Sequence, residues 1–98
     1  MSKFSELIHQ DKPVFIDFFA DWCGPCKMME PILKEAKEAL GDSANIIKIN
    51  IDKNSDLAHT YNIKGVPTFM IFKRGELLWR QSGMLQKNDI VTLVNHYK

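Results

Sequence analysis

The chain has 98 residues, 45% of them hydrophobic and 26% charged, with two cysteines and a net charge of +1. That length provides for one core and no second, and the composition is that of a folded rather than a disordered chain. Acidic and basic residues interleave, which excludes bulk attraction to nucleic acid or to an anionic membrane, so we expect one domain over residues 1–98 with neither partner.

Residues 1–12 carry polar and charged groups throughout and lack the apolar core and small-residue cleavage site of a secretory signal, which points to a cytoplasmic protein. Phe4, Leu7 and Ile8 predict a short amphipathic helix ending before Asp11-Lys12-Pro13. Residues 14–20 (VFIDFFA) are apolar on both alternating faces, as in a central strand covered by helices on each side. They are far short of the ~20 residues needed to span a bilayer, and they contain Asp17. From Cys23 to Leu40 the positions Met28, Met29, Ile32, Leu33, Ala36 and Leu40 recur at helical spacing, with Gly41 as the C-terminal cap and Pro31 as an expected kink. Residues 45–51 hold four isoleucines in seven and predict a second strand, completing a right-handed βαβ unit. A short helix follows Asn54 over residues 55–62. Residues 67–73 and 76–82 predict strands joined at Arg74-Gly75, close enough for an antiparallel hairpin, so the sheet is mixed. Ile90, Val91, Leu93, Val94 and Tyr97 predict a C-terminal helix capped by Asn88 or Asp89.

The chemistry lies in Trp22-Cys23-Gly24-Pro25-Cys26-Lys27. Two cysteines cannot build a multi-bridge scaffold, and a pair three positions apart closes too small a loop to stabilise much through the unfolded state. Between a buried strand and a helix, near a βαβ pattern, the spacing reads as a redox motif. At a helix start Cys23 meets unpaired backbone N–H groups and the positive end of the helix dipole, both of which favour the thiolate and make it the nucleophile. Cys26 lies on the same face within disulfide reach but one turn deeper, which suits a resolving thiol. Pro25 fits the first helical turn, where a missing N–H costs little. A zinc site would need four ligands, and His9, His59 and His96 show neither the spacing nor a second Cys-x-x-Cys, so no metal is expected. Inert core cysteines have no reason to flank Gly-Pro at a helix start.

Two further signals stand beside the cysteines. Asp17 is a carboxylate in a strand read as buried, and if buried it could take the proton from Cys26, directly or through water. The alternative is that the strand is less covered and Asp17 meets solvent. Lys48, a lone cation in the isoleucine-rich strand, reads equally as a neighbour for Asp17 or as an outward, solubilising lysine. In Gly65-Val66-Pro67-Thr68 the tetrapeptide by itself does not decide between a cis and a trans proline.

Asp17, Trp22-Cys23-Gly24-Pro25-Cys26-Lys27, Pro31, Gly65-Val66-Pro67-Thr68 and Gly83, in this order and spacing from about Val14 onward, resemble the thioredoxin family. The resemblance implies an α/β thioredoxin fold with a central mixed sheet flanked by helices. It implies a cis Val66-Pro67 bond packed against the disulfide, with Pro67 part of the active site, and a Val66 backbone that pairs with an extended substrate segment. A flat apolar docking surface would be built from Trp22, Gly24, Pro25, Gly65, Val66 and the Gly83-Met84 loop. Asp17 would be the buried carboxylate and Lys48 its partner.

Three departures stand out. Sixteen residues precede Asp17, enough for the first helix but not for the edge strand the family usually places before it, so the sheet is expected to have about four strands with residues 45–51 at its edge. Phe19 stands where the family often has tryptophan. Asp21 stands where glutamate, proline or threonine is frequent.

The function expected is that of a protein-disulfide reductase acting by dithiol–disulfide exchange, with disulfide-containing proteins as substrates. By resemblance it would be recycled by an NADPH-dependent flavoprotein reductase, bind no cofactor beyond its own Cys23-Cys26 disulfide, and act as a monomer. An oxidase or isomerase would use the same pair at a higher potential, but Gly24-Pro25 resembles reductants; a binding module would dock partners through the same surface without turnover. Trp79 and Arg80 carry no functional reading.

Overall fold

The fold comes from a computed structural model and is described for residues 3–98; the first two residues of the polar N-terminal segment lie outside the described ones. The elements run α1 (Lys3–Ile8), β1 (Val14–Phe19), α2 (Gly24–Leu40), β2 (Asn45–Asn50), α3 (Ser55–Thr60), β3 (Thr68–Lys73), β4 (Glu76–Ser82) and α4 (Lys87–His96), with a 3₁₀ turn at Gly41–Ser43. The strands form one mixed sheet in the order β2-β1-β3-β4. β1 is parallel to β2 and antiparallel to β3, and β3 is antiparallel to β4. This is the α/β architecture expected from the sequence, with β2 at one edge of the sheet.

β1 occupies the interior because both its faces are apolar. Phe15 meets Met29, Leu33 and Ala36 of α2 and Ile90 and Val94 of α4 on one side. On the other, Val14, Ile16 and Phe18 meet Phe4 and Ile8 of α1 together with Met70 and Phe72 of β3. Each such side chain, fully buried, contributes about 1.5–3 kcal/mol. The two layers clamp β1 from above and below, which fixes the point where its C-terminal end delivers the chain to Cys23.

Several boundaries differ from the sequence expectation, each for a local reason. α2 begins at Gly24 with Cys23 as its N-cap, and it continues through Pro31 as one helical element; Gly41, at φ 58°, closes it with its N–H donated to Lys37 O. β1 and β2 end one residue early, although Ile51 N still donates to Phe19 O at 2.9 Å. β3 starts at Thr68 because Pro67 has no N–H for the ladder; the Pro67 carbonyl instead accepts from Gly83 N at 2.9 Å. α3 stops at Thr60, and Asn62 turns to a positive φ of 56° that no helix can continue. Asn54 precedes α3 as expected, but its side chain donates to Asn50 O at 2.9 Å rather than capping the helix.

The cap of α4 is a correction. Neither Asn88 nor Asp89 holds that place, which belongs to Gln86. Asp89 lies within the first turn and reaches back to accept from Gln86 N at 3.4 Å. A short carboxylate near a helix start serves either position, and sequence alone does not separate them.

Arg74 and Gly75 form the two-residue hairpin turn at positive φ, 53° and 83°, the geometry that matches the twist of the flanking strands. Their N–H groups donate to Gln10 O and Ile8 O, docking the turn on the α1–β1 connection. Trp79 stacks on Phe15 with ring centroids 6.5 Å apart, and Arg80 donates to Tyr61 O and Asn62 O. Both residues left unexplained by the sequence therefore have packing roles: Trp79 covers the α2 side of the core, and Arg80 ties β4 to the end of α3.

Candidate functional site

The chain leaves β1, turns back through Asp21 and Trp22, and enters α2 with Cys23 in extended conformation (φ −91°, ψ 110°) as the cap. Cys23 N donates to Ala20 O at 3.2 Å, and Lys27 N donates to Cys23 O at 3.3 Å. Cys23 and Cys26 are joined as a disulfide with Cα atoms 5.2 Å apart. Cys26 N donates to Cys23 Sγ at 3.1 Å, so an otherwise unpaired N–H of the first helical turn is aimed at that sulfur. A negative charge there gains this hydrogen bond and the positive end of the helix dipole together.

The two cysteines are equally buried, each at 4% exposure. Depth alone therefore does not distinguish attacker from resolver, contrary to the expectation that Cys26 is the deeper. The asymmetry lies in the surroundings: Cys23 Sγ receives the helix N–H and stands 3.6 Å from Val66 O, on the side of the β3 entry loop.

That loop gathers the next residues. The Val66-Pro67 bond is cis, and Val66 packs against the cluster of Ala20, Cys23 and Cys26. Thr68 Oγ1 donates to Gly65 O at 2.6 Å and lies 2.8 Å from Ser82 Oγ. The bond from Gly83 N to Pro67 O joins the end of β4 to the same corner, and Gly83 needs its positive φ of 99° to make the turn. Around this corner Gly24, Pro25, Gly65, Gly83 and Met84 are exposed. Trp22 is the most open large hydrophobic residue at 69% exposure, and its Nε1–H is held by Asp52 Oδ2 at 2.9 Å. A concavity of about 710 Å³ lies between α1 and α3, and neither cysteine lines it.

Asp17 is 1% exposed, and among the described residues neither of its carboxylate oxygens has a hydrogen-bond partner. By strand alternation it shares the α2 face of β1 with Phe15 and Phe19, so it lies between the core under Met29 and the cysteine cluster against which Phe19 packs. Burial pushes its pKa up to about 6 from an ordinary 3.8; the Lys48 cation partly offsets this and Glu30 adds to it. The solvent-facing reading of Asp17 is thereby set aside.

Lys48 is the register neighbour of Asp17 on β2, but its ammonium does not pair with Asp17. It reaches Glu30 Oε2 at 3.4 Å, with Nζ 4.6 Å from the Phe19 ring centroid. Glu30 and Asp52 are the residues that sequence reasoning missed. Glu30 stands four positions after Cys26, one helical turn along the same face, and that spacing, which the sequence reading did not use, is its sole signal. Asp52 follows β2 and carried no signal.

Among the described residues no group of three or more His, Cys, Asp or Glu is placed to hold a metal ion, and no helix is long and apolar enough to cross a membrane. What the arrangement can do is exchange two electrons and two protons as a dithiol–disulfide couple.

Comparison with known proteins agrees with this chemistry. The family model for thioredoxin matches residues 1–96. Thioredoxin Y, chloroplastic, of Oryza sativa is 45% identical over 91 residues, which cover 92% of this chain and 54% of the rice protein; the chain thus spans about half that relative's length. Thioredoxin of Rickettsia prowazekii is 42% identical over 91 residues, 93% of this chain and 87% of that protein. A solved structure of a mutant thioredoxin from Halobacterium salinarum superposes with a TM-score of 0.87 at 33% identity, covering 99% of this chain and 84% of the other. A redox-active Cys-x-x-Cys pair on this fold is that of a thiol–disulfide oxidoreductase. The match extends over nearly the whole chain and includes the segment that presents the disulfide, and the chain belongs to the thioredoxin family.

Proposed function

We propose that this chain reduces disulfide bonds in proteins, with Cys23 as nucleophile and Cys26 as resolving thiol. The observation that carries the proposal is the Cys23-Cys26 disulfide at the head of α2, where the Cys26 N–H points at Cys23 Sγ. In the reduced protein the Cys23 thiolate attacks a target disulfide; a new S–S bond forms and one target sulfur leaves as thiolate. Asp17, buried on the α2 face, takes the proton of Cys26 directly or through water, and a carboxylate titrating near 6 is better matched to that transfer than an ordinary one. The Cys26 thiolate then attacks Cys23 Sγ, the second target sulfur leaves, and the chain is left oxidised as in this structure.

Substrate is held by the surface around the disulfide. The exposed Trp22, Gly24, Pro25, Gly83 and Met84 and the half-buried Val66 supply a shallow apolar platform, and the Val66 backbone offers hydrogen bonds to an extended segment. Lys48 and Pro67 support the site, Lys48 from its rim through its charge and Pro67 by shaping the Val66 corner. The oxidised pair is returned to the dithiol by a reductase, which we assign to the NADPH-dependent flavoprotein class, with no cofactor bound to this chain. A Gly-Pro reductant suits a reducing compartment, which supports a cytoplasmic location. A monomer is favoured because Lys48 on the edge strand β2 and Glu76 and Arg80 on β4 discourage edge pairing.

The test is an equilibrium titration of the purified protein against glutathione and dithiothreitol, followed by tryptophan fluorescence and thiol alkylation. A single two-electron transition more reducing than the glutathione pool is expected, together with a Cys26→Ser variant that accumulates a mixed disulfide with a protein substrate through Cys23. A transition well to the oxidising side would make the protein an oxidase or isomerase. Absence of any reversible transition would leave a binding module.

A further inference from the structure

The charges around Asp17 are arranged unexpectedly. A buried carboxylate with no hydrogen-bond partner lies in register with a lysine on the neighbouring strand, and the lysine gives its ammonium to a different carboxylate nearer the surface. Lys48 and Glu30 have side chains 40% and 57% exposed, so as an ion pair they add little to stability. Their electrostatic effect inward is another matter, because Asp17 is buried and a nearby charge is poorly screened there.

We propose that Glu30 is a positioning residue that holds the Lys48 ammonium at the rim of the site, away from Asp17, and so sets how tightly Asp17 holds its proton. The proposal rests on the reductase reading for its use, since that proton is the one Asp17 exchanges with Cys26. The sign follows from the charges. A cation drawn toward Asp17 would favour the carboxylate; Glu30 neutralises the cation where it stands and adds a negative charge of its own. Both effects help Asp17 keep its proton.

Few other groups compete on this face. β2 brings Lys48, and α2 brings Glu30 and, once the disulfide is reduced, the Cys26 thiol, with Lys34 and Lys37 lining the outer concavity beside Glu30 and Lys48. β3 sets Phe69 opposite Asp17, β1 flanks it with Phe15 and Phe19, and α4 turns Ile90 and Val94 to the same layer. The stem of Lys48 is steadied by the Phe19 ring 4.6 Å from its Nζ, which keeps the ammonium near both carboxylates and lets Glu30 decide between them.

The experiment is a carboxyl-carbon NMR titration of Asp17 in the oxidised full chain, for the native protein, Glu30→Gln, Lys48→Met and the double variant. Glu30→Gln is expected to weaken the proton affinity of Asp17 by at least about threefold, half a pH unit in the midpoint, and Lys48→Met to strengthen it by a similar factor. In the Lys48→Met background the Glu30→Gln change is expected to fall below half its size in the native background. An unmoved midpoint in Glu30→Gln, or an equal movement in both backgrounds, overturns the proposal, because Glu30 would then act not at all or by its own charge alone. The titration is read without turnover, so it stands or falls separately from the reductase reading, which the trapping of a mixed disulfide by Cys26→Ser tests.

Discussion

Replacing Asp17 by alanine should stabilise the oxidised protein at pH 8 and not at pH 4. In the folded state the carboxyl titrates at about 6 against an ordinary 3.8, chiefly because burial disfavours its charge, with Lys48 opposing and Glu30 reinforcing that effect. At about 1.4 kcal/mol for each tenfold change in proton affinity, holding the ionised form at pH 8 costs the folded state about 3 kcal/mol. The sign follows from proton uptake: between the two values the folded state binds more protons than the unfolded one, so stability falls as pH rises through this window and the loss is complete above about 6. Below 3.8 both states are protonated and the cost vanishes. Alanine removes the titration and leaves a small cavity costing about 1 kcal/mol at any pH. The variant should therefore be about 2 kcal/mol more stable than the native protein at pH 8, and equal to it or slightly less stable at pH 4. Urea denaturation of both proteins at the two pH values and one salt concentration measures this, provided the slopes agree. A stability difference that is the same at both pH values would refute the reasoning, since it would mean that the charge of Asp17 is compensated in the fold.

Two further perturbations test the scaffold around the disulfide. Asp52→Ala releases the Trp22 ring, whose Nε1–H it accepts at 2.9 Å; ordering such a side chain on binding costs about 1 kcal/mol, so catalytic efficiency toward a protein disulfide should drop about fivefold. Reduction of a small aromatic disulfide and the urea midpoint should be unchanged, and equal losses on both substrates would remove Trp22 from the docking surface. Gly75→Ala places a methyl group on a residue at φ 83° and directly into the His9 ring, and should destabilise the protein by about 1–3 kcal/mol in urea denaturation. A double variant with His9→Ala should regain part of that loss, and failure to regain any would leave backbone strain as the whole effect.

How much of this was legible in the sequence depends on the range over which each feature is decided. The burial of Asp17 was readable because the residues on both sides of it along β1 are apolar on both faces, a strictly local pattern that leaves a covered strand as the better reading. The hairpin at Arg74-Gly75 and the stop at Gly41 were readable for the same reason, since each is fixed by what one or two residues allow their own backbone to do. The cap of α4 was not, because Asp89 makes a capping bond from inside the helix, where its residue type gives the same signal as from the cap itself.

The site divides along the same line. Cys-Gly-Pro-Cys at a strand-to-helix junction carries its chemistry in residue type and spacing, and the N–H that meets Cys23 Sγ is a property of any helix start. The partner of Lys48 is decided by the reach of a flexible side chain across the α2–β2 contact, where two carboxylates from different elements compete for one ammonium. Strand register places Lys48 beside Asp17, and nothing in residues 45–51 tells that a residue on α2 will intercept the charge. The carboxyl that remains is buried without a hydrogen bond among the described residues, an arrangement that costs stability at neutral pH and, on the proposed mechanism, keeps a proton acceptor for Cys26. That cost and that use have one physical origin, so a substitution that makes Asp17 an ordinary carboxylate should recover stability and weaken the resolving step together.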